Sequence, residues 1–149
     1  MAATFENLAS MAGQEMGVSD WLLIDQDRIN AFADATNDHQ WIHVNVEMAK
    51  AVMPGGKTIA HGYLLLSLIP GLTGELMQVE GVTRAINYGS NKVRFVSMVP
   101  VGSKVRARAK LVSAEPKSGG LLMTTEVTME LEGSERPAFV AETLALLFK

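Results

Sequence analysis

Residues 62–69 read Gly62-Tyr63-Leu64-Leu65-Leu66-Ser67-Leu68-Ile69, and this stretch decides the fold class. As a helix it is apolar on all sides, whereas a helix lying on a surface keeps a polar stripe. It is far shorter than the roughly 20 residues that span a bilayer, so its cover is expected to be protein. Pro70 and Gly71 follow at once and should kink or break the helix before 72–77. The cover lies further on, where the apolar period changes from 3.6 to 2. Val105, Ala107, Ala109 and Leu111 alternate with Lys104, Arg106, Arg108 and Lys110, and Met123, Thr125, Val127, Met129 and Leu131 alternate with polar partners. Both read as half-exposed antiparallel strands. Residues 140–148 are apolar on both faces except at Glu142 and Thr143, which predicts a central strand. The expected fold is α+β, a curved antiparallel sheet wrapped around one buried helix.

Upstream, a short amphipathic segment near Phe5, Leu8 and Met11 leads to the apolar run Trp21-Leu22-Leu23-Ile24, a predicted strand. Asp25 suits a helix N-cap, and Ile29, Phe32, Ala33 and Thr36 then fall at i, i+3, i+4 and i+7, so a helix should end near Asn37. A second short helix is expected over 45–52, before the turn Met53-Pro54-Gly55-Gly56. Turn signals at 116–120 and 133–137 separate the later strands.

At 149 residues the chain is read as one domain, 1–149. Hydrophobic residues make up 48% and charged residues 19%, enough to form a packed core and too apolar for a disordered chain. A net charge of −3 gives no bulk attraction to nucleic acid or to an anionic membrane. With no cysteine there is no disulfide, thiolate metal site or thiol nucleophile. The opening residues lack a basic segment followed by an apolar run, and a soluble, cytoplasmic protein is expected.

Chemistry is concentrated in Asn37-Asp38-His39-Gln40-Trp41-Ile42-His43, an acid and two imidazoles within seven residues. The third histidine, His61, stands in Ile59-Ala60-His61-Gly62. Groups that titrate differently and are held on a loop can take a proton from water and deliver one to carbon. The plainer alternative is an aspartate capping a turn and a histidine satisfied in the core. His39 and His43 also make a His-x-x-x-His, but Gln40 stands where a zinc protease has its glutamate and the spacing falls on an expected loop, so no metal is expected. Gly55-Gly56-Lys57-Thr58 ends like a phosphate-binding loop but lacks its first glycine at the required spacing.

The run Phe32-Ala33-Asp34-Ala35-Thr36-Asn37-Asp38-His39-Gln40-Trp41-Ile42-His43, with Ala49 six places on, resembles the signature of the MaoC-like (R)-specific enoyl-CoA hydratases, which have the hot dog fold. Ile59-Ala60-His61-Gly62 resembles their following motif, and residues 85–95 resemble the nodulation-protein-N-like branch. The resemblance implies reversible addition of water to a trans-2-enoyl-CoA, giving the (R)-3-hydroxyacyl-CoA. It implies that Asp38 and His43 share one water, His43 drawing its proton and Asp38 handling the proton at C2, or the reverse. It gives the Gly62 N–H to the thioester oxygen. Read from the residues themselves, substrate contacts are expected at His61, Tyr63, Asn87, Tyr88, Gly89 and Arg94, with the acyl chain along the buried helix near Tyr63 and Leu66, where apolar walls exclude water. Lys104, Arg106, Arg108 and Lys110 could meet phosphates of coenzyme A, but a solvated face is the stronger reading. No cofactor is implied beyond coenzyme A as part of the substrate, and a homodimer is expected. The wider pattern has glycine at Asn37, asparagine at Gln40 and proline at Trp41, departures that bear on loop shape and substrate preference. A thioesterase on the same fold and a non-catalytic acyl-binding module are the competing readings.

Overall fold

The computed structural model describes residues 2–149. Asp25 caps the first long helix, α1 (Gln26–Thr36), by accepting from the Arg28 N–H at 2.8 Å, and Asn37 ends it in the left-handed conformation at φ 62°. Two short helices follow, α2 (Trp41–Val44) and α3 (Val46–Val52), the second capped by the Asn45 side chain on the Met48 N–H. Helix α4 (Gly62–Ser67) and helix α5 (Ile69–Thr73) run on with only Leu68 between them. The break comes just before Pro70, as a proline without an N–H dictates.

The sheet is curved and antiparallel throughout, with six strands. These are β1 (Glu15–Val18), β2 (Leu22–Leu23), β3 (Arg84–Phe95), β4 (Lys104–Lys117), β5 (Gly120–Leu131) and β6 (Phe139–Phe148). Their order is β1-β4-β5-β6-β3, with β2 also on β4, so β6 is an interior strand. The β4–β5 hairpin turns through Ser118 at φ 53° and Gly119 at φ 82°, the two positive angles that match strand twist in a two-residue turn. A Cβ on the next residue, Gly120, would sit 2.2 Å from the Leu147 carbonyl, so the β5–β6 approach requires glycine there. The register of β3 on β6 shifts between Asn87 and Gly89, making the bulge expected of a glycine-interrupted strand, with Tyr88 as the extra residue.

The main core joins Ile24 and Ile29 to Leu64, Leu65 and Ile69 of the helix and to Val105, Ala107, Val127, Met129, Phe139 and Ala141 of the sheet. The outer face of β4 carries Arg106 and Arg108, which converge on Glu130, while Arg108 also pairs with Glu15. Arg106 and Arg108 are thus paired within the sheet, while Lys104 and Lys110 on the same face are exposed. One expectation is corrected. Within this chain the apolar helix is covered on one side only: Leu64, Leu65 and Ile69 are buried, but Tyr63 is 68% exposed and Ser67 and Pro70 are exposed. Strand β3 is equally bare, an unpaired edge exposed along almost all its length. The chain supplies only half the cover that its apolar helix calls for. No helix among the described residues is long and apolar enough to cross a membrane.

Candidate active site

His43 does not sit on a loop, as expected, but on the single turn of α2, and its ring is 6% exposed. Its Nδ1 lies 2.7 Å from the Ile59 carbonyl oxygen. A carbonyl only accepts, so Nδ1 carries the hydrogen and Nε2 presents a bare lone pair. The turn is anchored from behind by Gln26, whose amide donates to the His43 carbonyl at 2.8 Å and accepts from the buried Thr58 hydroxyl at 2.6 Å. Burial lowers the His43 pKa below its ordinary value, and the Ile59 hydrogen bond and Asp38 only partly oppose this. The ring is therefore kept neutral and able to accept a proton.

Asp38 follows the left-handed Asn37 and is exposed. One ligand atom each from Asp38, His43 and His61 lie within 4.8 Å of one another. The His61 ring, 2% exposed, stacks on that of His43 with centroids 3.8 Å apart and planes 20° from parallel. Near-parallel rings aim their in-plane lone pairs side by side rather than at one point, so a single cation could take both only if a ring turned. His39, by contrast, points to the surface and pairs with Asp34 at 2.8 Å.

Beside His43 opens a cavity of about 320 Å³, walled by Ile59, Ala60, Gly62, Tyr63, Leu65, Phe95, Ser97, Met98 and Val99. Gly62 begins α4, so its N–H has no acceptor within the helix. A Cβ there would meet the Phe95 ring at 2.9 Å, which gives the glycine a packing reason of its own. A larger cavity, about 860 Å³, lies along α5 between the helix and strands β3, β5 and β6.

Residues 7–132 match the model of the MaoC like domain. The chain belongs to the MaoC-like family. It is 52% identical over 145 residues to a 3-hydroxyacyl-thioester dehydratase Z of Mycobacterium tuberculosis, covering 95% of each chain. It is 43% identical to a nodulation protein N of Rhizobium leguminosarum bv. viciae, covering 95% of this chain and 89% of that one. Among solved structures it resembles a monoamine oxidase regulatory protein from Archaeoglobus (TM-score 0.81, 25% identity, 98% and 94% of the two chains). It also shares the fold of an (R)-hydratase from A. caviae (TM-score 0.72, 23% identity, 90% and 94%). The fold is the hot dog fold, and with the family comes the enzyme class, a dehydratase or hydro-lyase.

On this MaoC-like chain the residues singled out in the sequence divide into groups. His43, Gly62 and Tyr63 line the smaller cavity, with Asp38 and His61 close to His43. His61, an expected substrate contact, is buried against His43 and does not line that cavity. Asn87 and Gly89 line the larger cavity, as does Leu66, so Tyr63 and Leu66 face different spaces. Tyr88 is 50% exposed beneath the Lys117 ammonium, and Arg94 is exposed on β3. The sequence reading missed the walls Phe95 and Met98 and the Ile59 carbonyl that sets the His43 tautomer. A backbone acceptor carries no side-chain signature, and the walls lie more than 50 residues beyond His43 in the chain.

Proposed function

We propose that this MaoC-like enzyme is an (R)-specific enoyl-CoA hydratase, adding water reversibly to a trans-2-enoyl-CoA to give the (R)-3-hydroxyacyl-CoA. The observation that carries the reading is the neutral His43, its Nδ1 committed to Ile59, lining a cavity together with Gly62 and with the Asp38 carboxylate close by. His43 Nε2 takes one proton from water as the water oxygen bonds to C3. The C2=C3 electron pair moves to C2 and the thioester oxygen, whose developing charge the Gly62 N–H receives. His43 hands that proton to the Asp38 carboxylate, which delivers it to C2, so one water is consumed and both side chains return to their starting states. No resident cofactor has a part in this scheme, and coenzyme A enters as part of the substrate.

Tyr63 stands over the reacting carbons in the smaller cavity, and a long acyl chain reaches the larger cavity beside Leu66, Asn87 and Gly89, with Tyr88 and Arg94 on the exposed face of β3 left to the rest of the substrate. The active form is a homodimer. Support comes from the bare β3 edge with Ile86, Tyr88 and Phe95 exposed, and from the uncovered side of the apolar helix. A cytoplasmic setting completes the proposal, and the cysteine-free chain is compatible with it. Loss of enoyl absorbance with crotonyl-CoA and longer enoyl-CoAs, with chiral analysis of the product, tests the activity. Release of free thiol faster than formation of the (R)-hydroxy product would replace it with a thioesterase, and binding without turnover with an acyl-carrying module. Light scattering should give about twice the 16.1 kDa chain mass; a monomer at micromolar concentration refutes the dimer.

A further inference from the structure

We propose that His61 is a positioning residue that holds Asp38 and His43 in register, rather than a contact for substrate. The inference rests on the reaction proposed above and says what organises its two proton carriers. His61 Nε2 lies 3.0 Å from the Asp38 backbone carbonyl, across 23 residues of chain. The carbonyl can only accept, so Nε2 bears the hydrogen and the link ties the acid's backbone to the start of α4. The same ring lies flat on His43 at 3.8 Å, and Phe32 of α1 covers it at 4.9 Å. Asp38 is exposed and follows a left-handed residue, so without this tie its backbone has little else among the described contacts to place it. Asp38 meets the Gln40 N–H only at a long 3.4 Å.

The cost of the arrangement is visible. His61 Nδ1 is buried with no hydrogen-bond partner, alone in this among the buried side-chain nitrogens and oxygens of the described residues. A buried polar atom left unpaired costs free energy. If the site needed only a flat apolar filler between Phe32 and His43, a phenylalanine would serve without that penalty. The imidazole supplies what phenylalanine lacks, a hydrogen-bond donor aimed at Asp38. The three groups of the proposed reaction thus meet at one residue: it bonds the acid's backbone, stacks on the base and immediately precedes Gly62.

Two measurements test this. Long-range proton–nitrogen spectra of the histidine-labelled wild type near neutral pH should show opposite tautomers, Nδ1–H for His43 and Nε2–H for His61. An Nδ1–H tautomer at His61 overturns the proposal whether or not the protein turns over an enoyl-CoA, so this result is separable from failure of the hydratase reading. In kinetics with crotonyl-CoA, His61→Phe keeps the stack and removes the donor. It should lower kcat by roughly 10- to 100-fold with KM little changed, since a catalytic group displaced by about 1 Å forfeits that much. His61→Gln, which restores a donor without the ring, should regain part of the lost kcat. Wild-type kcat in a folded His61→Phe protein, or a His61→Gln protein no better than His61→Phe, refutes the role. Should His61→Phe fail to fold, the tautomer and His61→Gln against wild type decide, with Gln expected to keep more than a tenth of kcat.

Discussion

Gly62→Ala adds one methyl at the point where helix and sheet come closest, and the structure sets its cost. The new Cβ would stand 2.9 Å from one ring carbon of Phe95 and 3.1 Å from two others. Carbon atoms pack best at about 3.5–4.0 Å, so the ring must retreat by roughly 0.6 Å or the helix start must lift. Overpacking of this kind costs about 1–3 kcal/mol, and Phe95, 48% exposed, can move, which favours the low end. Gly62 is the first helical residue rather than an interior one, so replacing it returns at most about 0.5 kcal/mol, leaving at that low end a net loss of roughly 0.5–2 kcal/mol. The melting temperature should therefore fall by no more than about 8 °C. Activity should suffer more. Phe95 and Gly62 both wall the cavity beside His43, so a displaced ring narrows it and a lifted amide no longer meets the thioester oxygen as the proposed reaction requires. Initial rates over a series of enoyl-CoA concentrations should show KM raised and kcat lowered by roughly 10-fold or more. Gly62→Ala with Phe95→Leu, which removes the clashing ring carbons, should recover much of both. If Gly62→Ala keeps wild-type rates and melting, or if the double variant stays as impaired as Gly62→Ala while Phe95→Leu alone is active, the close approach does not constrain the site.

Asp38→Asn and His43→Gln should each lower hydration by roughly 10²-fold or more, and in the proposed reaction, where the two act on one water, the double variant should lose little beyond the worse single one. Near-full activity in a folded Asp38→Asn protein refutes the pair. Because burial holds the His43 pKa below the ordinary imidazole value of about 6.5, the acid limb of kcat/KM should fall below that pH, and a limb above it refutes the role of His43 as base. The same lowering fixes a sign for stability: the unfolded chain binds the proton more readily, so stability is full above about pH 6.5 and falls as pH drops through the lower folded value, a loss that His43→Gln should remove. Leu66→Trp fills space in the larger cavity and should slow long enoyl chains more than crotonyl-CoA; equal rates on both would place the acyl chain elsewhere.

What could be read in the chain, and what could not, follows from the range of each interaction. The Asp25 cap, the end of α1 at Asn37 and the strands β4 and β5 depend on neighbours in sequence, and their residues declare them. The apolar helix was legible too, but not its cover. A leucine facing a second copy and one facing its own sheet look the same in sequence, so the bare side at Tyr63, Ser67 and Pro70 was hidden. The site divides in the same way. Asp38 and His43 stand out by residue type and spacing, whereas the tautomer of His43 is set by the carbonyl of Ile59, and any residue there would offer one. His61 shows the limit most sharply, because a histidine beside a glycine reads equally as ligand, substrate contact or brace until its burial and its partner are known. The departures from the wider family pattern lose their difficulty once angles are given. Asn37 occupies φ 62°, a conformation that asparagine tolerates better than other side chains, so it can stand in for glycine. Trp41 is the first residue of α2, a position where proline is favoured but not required. Both residues therefore suit the places they occupy, and Gln40, at the cap of α2 with its N–H 3.4 Å from the Asp38 carboxylate, stands beside the proposed acid.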